Sequence, residues 1–449
     1  MKQRTFSTIA AAVLASLPWT VALAQPAPGP DTKAPDSPPL DKPAADKPPA
    51  DKPPADKPAA DKPPEAAAPA KPEEPKAGPT TKIDAGAAIK PTEDEEANPR
   101  RPFVVSSREF KLWPVVLIQA QATPYLGKDA SFLAGDIAER PGFRLRRARF
   151  GMGGSYKELL EMELSGELIT EREATLALHE AWVGVTPKPY FGASMGILPV
   201  PFSRSALISA ADTALIDRPL AVRAMAPNYQ LGAMVGGQIA SGRLNYALGV
   251  FNGFARGDQF YTGFEESLAA LGNRFENLAY VARLATSILT PGADIPRYGD
   301  NRPRLNVGAS YFFSDGGSRT IHSMEGDLFF QRAGFRALGE VLYSSTVPAS
   351  QPTQPSTQNA NIDALAAVVE AGYTYQSLLG AHLRFEYIDP NTAVQDASDN
   401  WLITAGVSFM PPQIGQFMRA QLEFTHREEM HGKSIDNDAL TLQTQFVLQ

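Results

Sequence analysis

The feature that most constrains this chain is a strict alternation of apolar and polar residues over segments of about ten residues. Residues 160–168 run Leu-Glu-Met-Glu-Leu-Ser-Gly-Glu-Leu, and residues 383–387 run Leu-Arg-Phe-Glu-Tyr. Because successive side chains of a β-strand point to opposite faces, such segments predict strands with one apolar and one polar face. Strands of soluble β-sandwiches alternate too, but they are usually only about five or six residues long. The longer alternation favours strands that cross a membrane, with one face against lipid and the other against water.

The alternating pattern repeats along most of the chain after residue 111. It predicts about sixteen strands, since one strand is expected in each alternating segment. Their approximate spans are 112–122, 143–154, 157–168, 174–186, 190–198, 229–240, 243–252, 278–289, 303–313, 320–331, 334–345, 363–376, 380–389, 400–410, 417–427 and 438–449.

The connections between these segments alternate in length. Residues 241–242 form a short connection, whereas residues 199–228 and 253–277 form long ones. Bacterial membrane barrels have short periplasmic turns and long external loops. The sequence therefore predicts an all-β fold over residues 101–449, a transmembrane antiparallel β-barrel with both chain ends on the periplasmic side. Residues 290–302 are long for a periplasmic turn.

The N-terminal residues 1–24 have the features of a secretory signal peptide. Lys2 and Arg4 precede an apolar run that is too short to span a bilayer, and small residues follow up to Ala24. We therefore expect export and cleavage near Ala24, with the mature chain in the outer membrane of the cell. The chain contains no cysteine, which excludes disulfides, thiolate metal sites and cysteine nucleophiles.

Residues 25–100 form a low-complexity segment built around repeats such as Asp-Lys-Pro-Pro-Ala at 46–50. It contains too little apolar surface to offset the entropy lost on ordering, so it predicts a disordered, Pro/Ala/Lys/Asp-rich periplasmic linker. Two interpretations remain open. The segment is either an inert spacer or a tether that contacts peptidoglycan, and the second makes the chain a structural envelope protein.

The balance of charge points away from nucleic acid, because the formal net charge is −7. Residues 101–449 contain 24 arginines but five lysines. Arginine keeps its charge in any environment and forms forked hydrogen bonds to anions. Arginines on the polar strand faces are predicted to line the lumen: Arg144, Arg146, Arg243, Arg283, Arg304, Arg384 and Arg419. Alternatively, they pair with inward carboxylates and brace the wall, the candidates being Glu161, Glu163, Glu386 and Glu423.

Residues 144–149 hold the densest group of positive charge, with Arg144, Arg146, Arg147 and Arg149. Four arginines within six residues cannot all share one face of a regular strand. We therefore expect some of them at a rim, at a bulge or against a partner subunit. Arg147 and Arg149 are also candidates to reach lipid headgroups.

Four motifs, in this order along the chain, resemble the phosphate-selective porin O and P family. They are Phe-Arg-Leu-Arg-Arg-Ala-Arg-Phe-Gly at 143–151, Gly-Ile-Leu-Pro-Val-Pro-Phe-Ser-Arg at 196–204, Asp-Arg-Pro-Leu-Ala-Val at 217–222 and Gly-Arg-Leu-Asn-Tyr-Ala-Leu-Gly-Val-Phe-Asn-Gly at 242–253. The resemblance implies a trimeric, sixteen-stranded outer-membrane channel. It also implies that the third outer loop, residues 199–228 here, folds inward and narrows the pore.

The inward loop carries Arg204, Arg218 and Arg223 but no lysine. Because of its place in the family architecture and its excess of positive charge, we expect these three arginines to line the constriction and bind anions. Phosphate-selective members resemble one another in having a lysine cluster at the constriction. The sequence therefore leaves phosphate selectivity open.

Together these patterns predict an outer-membrane porin for passive diffusion of small hydrophilic solutes, with a preference for phosphate-like anions. The alternative is the structural envelope protein that tethers the outer membrane to the cell wall. The five histidines show no catalytic arrangement, so we expect no enzyme activity, no cofactor and no metal site. The predicted partners are the lipid bilayer, two further copies in a homotrimer, small solutes or anions, and peptidoglycan through the tail.

Overall fold

The computed structural model of the chain describes residues 100–124, 142–169, 175–252, 278–315, 319–348 and 361–449, apart from positions 102, 108, 293, 300, 301, 433, 435 and 437. The predicted signal peptide and the predicted linker up to residue 99 lie outside the described residues. So do the predictions for the long connections at 125–141, 253–277 and 349–360.

Sixteen antiparallel strands in the described part of the chain form a closed barrel. They are β2 (Phe110–Thr123), β3 (Gly142–Tyr156), β4 (Leu160–Ile169), β5 (Thr175–Lys188), β6 (Phe191–Pro199), β7 (Tyr229–Ile239), β8 (Leu244–Asn252), β9 (Leu278–Ser287), β10 (Arg304–Asp315), β11 (Arg319–Arg332), β12 (Phe335–Pro348), β13 (Ile362–Tyr375), β14 (Leu379–Asp389), β15 (Asn400–Phe409), β16 (Met418–Glu429) and β17 (Ala439–Leu448). Each strand pairs with its successor, and β17 pairs with β2, which closes the barrel. A short strand, β1 (Val105–Ser107), adds to the start of β2.

The predicted fold class and strand number are confirmed by this barrel. All sixteen predicted spans correspond to strands, and each strand end lies within three residues of its predicted position. Period-two alternation is a local signal that holds along a whole strand, which is why it gives the strands so closely.

The outer face of the barrel is apolar, and its inner face is polar. Met195, Leu164 and Val369 point outward and are 67%, 61% and 58% exposed, whereas the inward Glu340 and Arg384 are each 1% exposed. This distribution is the reverse of that in a water-soluble protein, where charged residues are almost never fully buried unless paired. It fits a barrel that has lipid outside. No helix among the described residues is long and apolar enough to cross a membrane.

The two ends of the barrel differ. One end, here called the turn end, carries the short connections and the C-terminal residue Gln449, whose backbone N–H donates to the carbonyl of Arg100 at 3.2 Å. The opposite end, the loop end, carries the connection of residues 200–228 between β6 and β7. This connection contains two short helices, α1 (Arg204–Leu207) and α2 (Leu220–Met225), and is here called the constriction loop.

The inner wall is apolar where the constriction loop packs against it. This differs from the sequence prediction, in which the inner face of each strand is polar. Inward side chains such as Phe312, Leu342 and Ile388 are at most 1% exposed and form one cluster with the loop. Phe202 packs edge-on against Phe312, with ring centroids 6.1 Å apart. The hydrophobic effect therefore holds the loop to the wall, because this apolar surface is removed from water on both sides.

A β-bulge in β3 explains how its four arginines are arranged. Gln119 pairs with Arg147, but the next residue of β2 pairs with Leu145, so Arg146 is an extra residue in β3. The bulge reverses the alternation, so Arg144 before it and Arg147 and Arg149 after it lie on the same, inner face of the sheet. The arginines of residues 144–149 all contact groups inside the barrel, so the suggestion that Arg147 and Arg149 reach lipid headgroups is wrong.

At Gly196 of β6, the neighbouring strand packs so closely that there is no room for a side chain. Its φ is +135°, and an added Cβ would overlap the carbonyl oxygen of Ala181 and lie 2.6 Å from the Cα of Trp182. Because these are backbone atoms, they cannot yield as a flexible side chain would. We expect Gly196→Ala to lower the free energy of unfolding by about 3 kcal/mol, measured by urea titration of the refolded barrel. Gly339→Ala is the matched control, because its Cβ would meet nothing within 4 Å. Equal stability of the two variants would contradict the prediction.

Candidate functional site

The constriction loop lies inside the barrel and follows its wall. The two ends of the loop are joined by a hydrogen bond in which the backbone N–H of Val200 donates to the carbonyl of Asn228 at 2.8 Å. Ala210 and Ala211 reach the other side of the barrel, where they pack with Leu117 of β2 and Val447 of β17. The loop therefore covers part of the inner wall and narrows the lumen.

The start of the loop is held by a buried network of charges. Arg204 is 0% exposed and pairs with Asp294 at 2.7 Å and with Asp327 at 2.5 Å. Arg283 of β9 pairs with Asp327 at 2.7 Å and with Asp294 and Glu325 at 3.1 Å each. Arg283 also donates to the carbonyl of Phe202 at 2.9 Å. These two arginines therefore fix the loop to the wall through shared carboxylates.

Three wall carboxylates accept hydrogen bonds directly from the loop. Glu340 accepts from the hydroxyls of Ser203 and Ser205. Glu423 accepts from the backbone N–H of Ile216 at 2.7 Å, and Glu386 from that of Ala221 at 3.1 Å. Each carboxylate thus satisfies a donor that the irregular loop backbone or its hydroxyls would otherwise bury without a partner.

The arginines predicted to line the lumen divide into two groups. Arg283, Arg304, Arg384 and Arg419 point inward but are at most 6% exposed. Arg384 donates to the carbonyl of Asp217 at 2.9 Å, and Arg419 donates to the carbonyl of Thr213 at 2.8 Å. The alternative interpretation, that these arginines brace the wall, describes Arg283 and Arg384, which pair with Glu325 and Glu386.

Arg144 and Arg146 belong to the second group, on the part of the wall that is less buried. Arg144 donates to the side-chain oxygen of Gln121 at 2.7 Å. Arg146, with a side chain 17% exposed, lies 3.3 Å from Asp217. Arg243 is in neither group: it is exposed in the turn between β7 and β8 and donates to the carbonyl of Ile288 at 2.8 Å.

The main concentration of positive charge surrounds Asp217 of the constriction loop. Arg146 and Arg147 each lie 3.3 Å from its carboxylate, and Arg223 and Arg144 attract it electrostatically. We call Arg144, Arg146, Arg147 and Arg223 the arginine cluster. Four guanidinium groups thus act on the carboxylate of Asp217, so positive charge is concentrated at this place.

Electrostatics keep Asp217 ionised. Its burial alone would raise the pKa, but the attraction of Arg146, followed by those of Arg147, Arg223 and Arg144, outweighs the effect of burial. The pKa of Asp217 is therefore held well below its ordinary value of 3.8. The carboxylate stays charged at every pH at which the barrel is expected to work.

This shift predicts how the contribution of Asp217 to stability depends on pH. A depressed folded pKa gives stability that is present above the unfolded pKa and is lost as pH falls through the folded pKa. We expect Asp217→Asn to lower the free energy of unfolding by about 3 kcal/mol near neutral pH, because the buried guanidinium groups lose their counter-charge. The difference from the wild type should stay constant down to about pH 5 and shrink below about pH 4. Urea titrations of both proteins across this range measure it, and a difference that grows towards low pH would contradict the assignment.

The three arginines predicted at the constriction occupy different environments. Arg204 is completely buried in its ion pairs, and Arg218 is 8% exposed and donates to the carbonyls of Ser205 and Ile208 within the loop. Arg223 is partly exposed and joins the arginine cluster. Anion binding by these three residues stays a prediction. The sequence interpretation missed Asp217 and Arg147 as site residues. A bulge was one of the arrangements expected from four arginines within six residues, but the sequence does not indicate that it places Arg147 beside Asp217.

Comparisons with known proteins agree with this architecture. Residues 127–283 match the profile of the family described as phosphate-selective porin O and P. No curated protein matches the sequence significantly.

Among solved structures, the chain is similar to the anion-selective porin from Comamonas acidovorans, with 12% identity and a TM-score of 0.52 over 76% of this chain and 100% of that one. The outer membrane channel DcaP of Acinetobacter baumannii gives 10% identity and a TM-score of 0.52 over 76% and 98%. Salmonella typhi OmpF, in complex with daunomycin, has 10% identity and a TM-score of 0.53, over 77% of this chain and 100% of that one. At these identities the similarity shows the fold alone.

The family match spans the arginine-rich strand β3, the constriction loop and the strands up to the start of β9. On this match and this fold, the chain is an outer-membrane porin, and its residues 127–283 are similar to the phosphate-selective porin O and P family.

Proposed function

We propose that the barrel is a passive pore for small hydrophilic solutes and that it prefers anions. The observation that carries the preference is the arginine cluster, in which four guanidinium groups surround the single carboxylate of Asp217. A pore selects ions by its width and by the sign of the charge at its narrowest point. An excess of positive charge beside the constriction loop raises the local concentration of anions.

Burial indicates which side of the lumen holds the solute path. The inward side chains of β9 to β17 are mostly buried against the constriction loop, whereas several on β3 to β8 are partly exposed, among them Arg149, Glu167 and Gln238. The path therefore runs between the loop and this second wall. Arg149 is paired with Glu167 at 2.7 Å, so this pair adds little net charge. The arginine cluster is then the densest group of positive charge beside this path.

The orientation in the membrane follows from the lengths of the connections. Short turns of bacterial barrels face the periplasm, so the turn end, with Gln449 and Arg100, faces the periplasm. The similar porin from Comamonas acidovorans is described as anion-selective, which supports the same preference here. A homotrimer is the assembly that the family resemblance implies, and it remains a prediction, as does any contact between the tail and peptidoglycan.

Planar-bilayer recordings of the purified full chain test the proposal. In a potassium chloride gradient, we expect open-channel currents whose reversal potential has the sign of chloride permeation. Replacing chloride by phosphate on one side then measures whether phosphate permeates as well. Absence of any conductance would contradict the pore, whereas a reversal potential of the opposite sign would contradict the anion preference alone.

A further inference from the structure

The connection between β9 and β10 is the longest at the turn end, running from Ser287 to Arg304. Its described residues 294–299 turn into the barrel instead of lying across the rim. Asp294, Pro296 and Tyr298 are buried, although a turn of a membrane barrel ordinarily lies in water. Such burial needs specific partners, because the polar groups of an irregular segment cannot be left unpaired.

Asp294 supplies the first of these partners. Its carboxylate lies between Arg204 of the constriction loop and Arg283 of the wall, at 2.7 Å and 3.1 Å. Its backbone carbonyl accepts a further hydrogen bond from Arg204 at 2.8 Å. The start of the segment is therefore tied to the start of the constriction loop.

Tyr298 ties the segment to the far side of the barrel. Its hydroxyl shares a hydrogen bond with Ser408 of β15 at 2.6 Å, and its ring lies 4.3 Å below the guanidinium of Arg419 on β16. Beside it, the carbonyl of Gly299 accepts from the hydroxyl of Ser377 in the β13–β14 turn at 3.3 Å. Residues 294–299 therefore cross the turn-end mouth from β9 and β10 to β13 and β15.

Asp212 joins this crossing segment to the tip of the constriction loop. Its carboxylate accepts from the backbone N–H of Tyr298 at 2.9 Å and pairs with Arg100 at 2.9 Å. Asp212 is itself 6% exposed. The tip of the loop is thus held from the turn end by residues 294–299 and by Arg100.

We propose that residues 294–299 form a strut at the periplasmic mouth, which positions the constriction loop and thereby sets the size of solute that passes beside the loop. The proposal rests on the proposed pore function. The strut contacts the constriction loop at two places, through Asp294 to Arg204 at the start of the loop and through Tyr298 to Asp212 at its tip. Loss of the strut should therefore let the loop move and widen the passage between the loop and the wall of β3 to β8.

A pair of variants tests the strut. Tyr298→Ala removes the ring beside Arg419 and should loosen the tip of the constriction loop. Larger neutral sugars should then enter in liposome-swelling assays, with at least about a twofold rise in conductance. Tyr298→Phe keeps the ring and should retain the wild-type limit. A wild type that does not conduct would overturn the pore function itself. A conducting wild type whose sugar limit and conductance are unchanged in Tyr298→Ala would overturn the strut alone.

Discussion

Replacing Arg283 by methionine should lower the free energy of unfolding of the barrel by about 3–5 kcal/mol, because buried carboxylates lose their shared counter-charge. Asp294, Glu325 and Asp327 all contact this guanidinium within 3.1 Å. Arg204 then remains as a charge partner of Asp294 and Asp327 but has no ion pair with Glu325 in the described contacts. Methionine keeps most of the side-chain volume, so loss of packing contributes little.

The constriction loop should loosen in the same variant, since Arg283 also donates to the carbonyl of Phe202. Limited digestion with trypsin reports this, because Arg204 inside the loop is buried in the wild type and should become cleavable. Urea titration gives the free energy. Arg332→Met, in the exposed β11–β12 turn, is the matched control and should change neither measurement.

A double variant separates charge from packing. If the cost of Arg283→Met comes from unpaired charge, then adding Glu325→Gln should recover part of the lost stability, because one of the unpaired carboxylates becomes neutral. A double variant less stable than the single one would show instead that Glu325 stabilises the network by hydrogen bonds alone. Trypsin should cleave Arg283→Met fastest, the double variant more slowly and the wild type slowest.

The strands were predictable because their signal is local. Residues 160–168 carry their pattern within a single strand, and the same holds for the strand that ends the chain. The pattern weakens where the inner wall is apolar. In β12, the inward Leu338 and Leu342 are buried against interior groups, so alternation alone does not show that a loop packs there.

The site was less predictable because its contacts join distant parts of the chain. Arg204 and Asp327 are 123 residues apart, and Arg384 reaches the carbonyl of Asp217 across 167. Alternation places each arginine on the inner face but does not indicate which carboxylate lies opposite. The length of residues 290–302 was the one local sign that a turn behaves unusually, and its inward path brings together Tyr298 and Ser408, which are 110 residues apart.

The balance of buried and accessible arginines predicts which of them set ion selectivity. Arg204 and Arg218 are buried and donate to groups within the protein, so their replacement should act mainly on stability. Arg146 and Arg223 are partly exposed beside Asp217. One charge at about 5 Å in water is worth on the order of 1 kcal/mol, which corresponds to roughly a fourfold change in relative permeability.

Arg146→Ala combined with Arg223→Ala should therefore lower the anion-to-cation permeability ratio by about sixteenfold, since two such charges are removed. Asp217→Asn removes the opposing charge and should raise the ratio by roughly fourfold. Reversal potentials in a potassium chloride gradient measure both, and Arg332→Ala removes one exposed charge outside the lumen as the control. Because the two changes affect the same cluster with opposite signs, a general disturbance of the loop cannot produce both shifts. Shifts of the same sign would show that loop geometry, and not the charge of the arginine cluster, determines selectivity.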